Sequence, residues 1–262
     1  MIMMVEVLGA IKKETLKAFL VKQERFDGRK FDEYRPIEIQ QNAAPNAEGS
    51  ALVHLGKSQV LCGIKFGVGA PYADTPDEGV LSTMVELLPL ASFTFEPGPP
   101  SPEAIELGRV VDRGIRSAKI IDMGKLKIDD EHVLMLYLDM YVLDHDGNLF
   151  DACTMAAMRA LLDTQLPKVE EGKIIFGEHT GKLDVSGIVT TSTFAKIDGS
   201  LLLDPTLDEQ LAMDTRLTIG VMGDKAVSMQ KGLSGALTRE ELFQLLDIAK
   251  AKHGELVKYI NL

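Results

Sequence analysis

The chain contains no tryptophan, and only 6% of its residues are aromatic, so a surface that stacks successive bases on rings is not expected. Positive charge is scarce as well. There are 28 Lys and Arg against 39 Asp and Glu, a net charge of −11, which excludes polyanion binding by bulk attraction and requires any such contact to be a local patch. The same imbalance leaves room for basic partners. No apolar run approaches the roughly 20 residues of a membrane span. The opening Met1-Ile2-Met3-Met4-Val5-Glu6 gives way to charges where a signal peptide would keep an unbroken apolar stretch. A cytoplasmic protein without membrane association is the expectation. The two cysteines, Cys62 and Cys153, are far apart with no C-x-x-C spacing, and are expected to be buried free thiols.

The sequence has 262 residues, 45% of them hydrophobic, enough for one large core or two closely joined lobes. Val5 to Lys22 carries an amphipathic helix pattern. Strands are expected over Tyr34 to Gln40, Ala51 to Leu55, Gln59 to Phe66 and Val80 to Leu90, with Gly56-Lys57 as a tight hairpin turn. A further strand, His132 to Leu143, leads through the turn Asp144-His145-Asp146-Gly147-Asn148 into a helix over Phe150 to Leu162. The polar run Lys168 to Thr180 reads as a connection between lobes. Beyond it lie strands at Leu183 to Phe194 and Ser200 to Leu203, a hairpin of Arg216 to Met222 with Ala226 to Gln230, and a closing helix from Thr238 to Tyr259. The fold class is α+β with mixed sheets rather than a βαβ series.

One segment reverses the local sign of charge. Ser101-Pro102-Glu103 supplies an N-cap, a proline at the first helical position and an acidic first turn, and the helix it starts carries Arg109, Arg113 and Arg116. At about 100° per residue these three fall within roughly 60° of one another, while Leu107, Val110, Val111, Ile115 and Ala118 gather opposite. Arginine suits phosphate because its planar fork donates paired hydrogen bonds and stays charged. The competing reading is a solvated face, with Glu106–Arg109 and Asp112–Arg116 as weak intrahelical pairs.

Other motifs fail on spacing. Gly56-Lys57-Ser58 ends like a phosphate-binding P-loop, but Ala51 stands where the first glycine belongs and a strand follows instead of a helix. Asp144 to Asn148 lacks the glycine position and the distal glutamate of a calcium loop. His54, His132, His145, His179 and His253 show no zinc-ligand spacing, and Gly232-Leu233-Ser234-Gly235 is no nucleophile elbow. The acidic run Asp204-Pro205-Thr206-Leu207-Asp208-Glu209-Gln210, with Asp214 beyond it, remains a candidate for acid–base or metal-assisted work or, alternatively, a helix start or turn with a solvated acidic rim.

Four blocks together, Arg25-Phe26-Asp27-Gly28-Arg29, Glu96 to Arg116, Leu138 to Asp144 and Asp204 to Glu209, resemble the RNase PH family, and within it the non-catalytic ring subunits of the archaeal exosome. The resemblance runs from about Arg25 to Lys258. It implies an RNase PH fold: an N-terminal helix over 1–24, then lobes over 25–167 and 183–259 forming one compact unit. It also implies three heterodimers with a catalytic sister subunit in a hexameric ring, with RNA-binding cap proteins and single-stranded RNA as further partners. No cofactor or metal is implied for this chain; the inorganic phosphate that attacks the RNA 3′ end is used by the sister.

Two departures from the active family pattern stand out. Active members follow the turn at Gly147 with a hydroxyl residue and an arginine that hold phosphate, whereas Asn148-Leu149-Phe150 follows here. They also carry aspartates six residues apart, whereas Asp204 is matched by Gln210. The resemblance therefore implies no catalytic residue in this chain, and assigns RNA phosphate contacts beside the sister's active site to Arg109 and Arg113, with Arg116 as a third. Two alternatives stay open: an autonomous phosphate-dependent 3′-to-5′ exoribonuclease, and a structural ring spacer that does not touch RNA.

Overall fold

A computed structural model describes residues 12–262. The N-terminal helix read over Val5 to Lys22 is seen from residue 12, and its start lies outside the described residues. Residues 12–20 form α1, which sets Leu16 and Leu20 into a small apolar cluster with Ala195, Ile197, Leu202 and Ala212.

The first sheet comprises β1 (Ile37–Gln41), β2 (Gly49–Leu55), β3 (Ser58–Gly69), β4 (Val80–Leu87) and β5 (Val133–Asp144), in the order β1-β2-β3-β5-β4. All pairings are antiparallel except β4 with β5. Leu55 pairs with Ser58, which leaves Gly56-Lys57 as the expected two-residue turn. The strand expected from Tyr34 begins only at Ile37, because Pro36 has no N–H for the ladder, and the one expected to reach Leu90 stops before Pro89 for the same reason.

Between the lobes the expected connection is itself a hairpin, β6 (Gln165–Glu170) with β7 (Lys173–Lys182). Its turn, Glu171-Gly172, takes positive φ at both residues, the twist that suits a two-residue hairpin. The second sheet, in the order β11-β10-β8-β9, holds β8 (Thr190–Ile197), β9 (Ser200–Leu203), β10 (Thr215–Met222) and β11 (Lys225–Gly232). The strand expected from Leu183 starts at Thr190. The preceding residues turn away, Ser186 donating its N–H to the Ile120 carbonyl, a course suited to the weak strand formers Asp184, Ser186 and Gly187.

The remaining helices are α2 (Pro102–Ala118), α3 (Leu149–Asp163), α4 (Leu207–Ala212) and α5 (Arg239–Asn261). Helix α3 is apolar almost all round and is buried continuously from Leu149 to Leu161, as such a pattern requires. It packs on both sheets and on α2 and α5, so one core runs through both lobes. Cys62 and Cys153 are buried free thiols inside it. No helix among the described residues is long and apolar enough to cross a membrane.

Candidate nucleic-acid interface

Helix α2 begins as its sequence dictates. Ser101 caps it, its Oγ accepting the Ala104 N–H at 3.2 Å, with Pro102 next. Leu107, Val110, Val111, Ile115 and Ala118 are buried, and Arg109, Arg113 and Arg116 are exposed. The helix lies between β4 of the first sheet and β11 of the second, so the arginine face is presented at the junction of the lobes.

The three arginines are not equivalent. Arg116 is committed: its Nε donates to Asp112 at 2.8 Å and its Nη2 to the Leu81 carbonyl at 2.5 Å. Arg113 donates Nη2 to Gln230 Oε1 on β11 at 2.9 Å, a neutral partner that leaves its charge uncancelled. Arg109 has no ionic or hydrogen-bonding partner among the described residues, and borders a groove of about 270 Å³ with Thr83, Met84, Pro100 and Ile105. Of the two expected intrahelical pairs, Asp112–Arg116 forms and Glu106–Arg109 does not. Glu106 instead meets Arg216 Nη2 of β10 at 2.6 Å, because a nearly buried guanidinium is already fixed beside it. Sequence gave no signal for that partner, 110 residues away, nor for Gln230.

The acidic run starts a helix, as one reading expected, and it divides: Asp208 and Asp214 stay partly exposed. Asp204 and Glu209 are buried. Arg25 grips Glu209 through Nε at 2.9 Å and Nη2 at 2.5 Å. Arg35 grips Asp204 through Nε at 3.0 Å and Nη2 at 2.8 Å, and Arg29 adds a third guanidinium at 3.0 Å. Burial alone would raise the Asp204 carboxyl, but the hydrogen bond and charge of Arg35, joined by Arg29, outweigh it and hold the pKa below the ordinary carboxylate value. Glu209 also completes a capping box with Thr206 at the start of α4, while Asp208 pairs with Lys12 and Asp214 with Lys13. Asp204 and Glu209 thus brace the fold from within.

This brace abuts the amino end of α3. A Cβ on Gly147 would lie 2.5 Å from the Pro205 carbonyl oxygen, and the backbone there has φ +91°, so only glycine lets the turn press so close. Asn148, buried and also left-handed, donates its Nδ2 to Asp204 at 2.7 Å and to Asp151 at 2.8 Å, and its backbone N–H to Gln210 Oε1 at 3.2 Å. Arg35 covers the turn through the Asp146 and Gly147 carbonyls at 2.6 and 3.2 Å. A helix amino end is normally ready to take an anion; here side chains of the protein itself take two N–H groups, Gln210 that of Asn148 and Asn148 that of Asp151.

Two titratable groups flank the turn. Burial, and then the charge of Arg35, lower His145 to about 4; it stacks on Phe95 with ring centroids 5.3 Å apart. Burial raises Asp151 to about 6 against hydrogen bonds from Asn148 and Thr193. No group of three or more His, Cys, Asp or Glu among the described residues is arranged to hold a metal ion.

Residues 33–167 match domain 1 of the 3′ exoribonuclease family, RNase PH, and residues 187–252 match its domain 2. The chain is 47% identical over 262 residues to the exosome complex component Rrp42 of Thermococcus gammatolerans, covering 98% of this chain and 96% of that one. It is 41% identical to the Rrp42 component of Methanothermobacter thermautotrophicus over 100% and 98% of the two chains. Among solved structures, a chain of the Archaeoglobus fulgidus exosome with RNA bound to the active site superposes with a TM-score of 0.90 at 42% identity, covering 96% of this chain and 98% of that chain. A chain of an archaeal exosome core superposes at 0.87 with 37% identity over 98% and 99%.

Proposed function

The chain belongs to the RNase PH family, and from that footing we propose that it is a non-catalytic subunit of an archaeal exosome, completing the active site of a catalytic sister subunit and holding RNA phosphates beside it. Its relatives are exosome components along their full length. The observation that supports the silent role is the amino end of α3, where the Asn148 N–H donates to the Gln210 side-chain oxygen and the Asn148 amide to Asp204 and Asp151. Phosphorolysis needs an anion seated against donors and an acid to move a proton. At this turn the Asn148 N–H is taken by Gln210, and position 210 carries an amide instead of an acid.

The same reading assigns Arg109 and Arg113 to RNA. Both are exposed on a capped helix, and neither is neutralised by a carboxylate among the described residues. Arg116, held by Asp112 and the Leu81 carbonyl, contributes least. Guanidinium–phosphate contacts read no base, so the face selects single-stranded RNA by its backbone. In the assembly we propose, this chain alternates with its sister in a hexameric ring of three heterodimers, capped by RNA-binding proteins, in the cytoplasm; inorganic phosphate acts only in the sister's site.

The deciding experiment supplies RNA and inorganic phosphate to the chain alone and to the chain with its sister subunit. Nucleoside diphosphate release is expected only from the pair. Release by the isolated chain would make it an autonomous exoribonuclease.

A further inference from the structure

Glu106 decides how much charge the arginine face keeps. It lies three residues before Arg109, within reach of an intrahelical pair, yet its carboxylate goes to Arg216 at 2.6 Å. Arg216 is well placed to compete. Its side chain is 12% exposed, its guanidinium sits 4.1 Å over the Phe150 ring, and its Nε has no partner among the described residues. The same Glu106 oxygen accepts Gln230 Nε2 at 3.2 Å. A carboxylate only accepts hydrogen bonds, so Gln230 must turn its NH2 toward Glu106 and its carbonyl toward Arg113, as its 2.9 Å contact with Arg113 records. A line of contacts thus runs from Phe150 on α3 through β10, α2 and β11 back to the exposed stripe.

We infer that Arg216 is a positioning residue for the RNA-contacting face: by capturing Glu106 it leaves Arg109 uncompensated and, through Gln230, aims Arg113. This rests on the assignment of Arg109 and Arg113 to RNA. Without Arg216 the nearest cation on the helix for Glu106 is Arg109. An exposed pair of that kind is weak, but a phosphate would have to displace it while facing the carboxylate's own charge.

The test uses the complex reconstituted with the catalytic sister, a 5′-labelled single-stranded oligoadenylate and inorganic phosphate. Arg216→Gln is expected to raise KM for the oligonucleotide about threefold to fivefold at low salt with kcat unchanged, the signature of lost binding rather than lost chemistry. Adding Glu106→Gln to that variant is expected to restore KM, because no carboxylate remains to neutralise Arg109. An Arg216→Gln complex with unaltered KM overturns the inference, and so does a raised KM that Glu106→Gln fails to reverse, which marks a merely structural loss. The double variant Arg109→Glu/Arg113→Glu separates the two levels. If it abolishes turnover while Arg216→Gln does nothing, only the positioning role falls; if it too leaves turnover intact, the RNA assignment falls with it.

Discussion

The backbone N–H of Asn148 donates to the side-chain oxygen of Gln210 at 3.2 Å. These are the two positions at which the sequence departs from active relatives, and they touch. In the proposed reading one departure removes a phosphate donor and the other a proton carrier. Gln210→Asp alone is therefore expected to leave the isolated chain inactive, since the carboxylate would face an amino end still capped by Asn148. Nucleoside diphosphate release measured by chromatography checks this; activity from that single change would show that the α3 turn still admits phosphate.

Charge reversal of Arg109 and Arg113 together is expected to abolish RNA degradation by the mixed complex while the ring stays assembled in size-exclusion chromatography. Two phosphate contacts on single-stranded RNA correspond to a log–log salt slope of about −1.4. The slope for RNA binding should become shallower by about that amount in Arg109→Ala/Arg113→Ala. An unchanged slope would mean that the phosphates are held elsewhere.

Asp204 is enclosed by Arg35, Arg29 and Asn148; Arg29 keeps Asp27, but Asp204→Ala takes from the buried Arg35 its closest carboxylate. Removing one partner of a buried ion pair costs about 3–5 kcal/mol. Denaturant titration of the isolated chain should show that loss. Asp224→Ala, at the exposed β10–β11 turn, should stay within about 0.5 kcal/mol of the parent.

His145 and Asp151 titrate in opposite senses over one pH window. His145 is held near 4 against an ordinary 6.5, so below pH 6.5 the unfolded chain binds the extra proton and stability is lost as pH falls toward 4. Asp151, raised from 3.8 to about 6, takes up its proton first in the folded state, so stability is gained as pH falls through 6. The parent should change little between pH 7 and pH 5. His145→Phe should become more stable toward pH 5, relative to its own value at pH 7, and Asp151→Asn less, each by roughly 1–2 kcal/mol. Chemical denaturation at the two pH values reads both, and slopes of the same sign would contradict the assignment.

Much of this was legible along the chain. Patterns with periods of 2.0 and 3.6 residues located most of the strands and helices, and Ser101-Pro102 marked the start of α2. The spacing of Arg109, Arg113 and Arg116 alone puts them on one face, because helical periodicity is a local property. Element ends at Pro36 and Pro89 and the hairpin turn at Glu171-Gly172 were mislaid for equally local reasons: the chemistry was present in the residues but outweighed by hydropathy.

Tertiary structure alone chose the partners. Glu106 had Arg109 within reach on its own helix and took Arg216 from the second lobe; the acids at Asp204 and Glu209, open along the sequence to a catalytic or a solvated reading, lie buried under Arg25, Arg29 and Arg35. The sequence determined which side chains each element would present, since backbone periodicity needs only neighbours. Which of the arginines would remain free, and whether the α3 amino end would stay open, depended on groups more than a hundred residues apart competing for the same donors and acceptors, and only folding brings them within range.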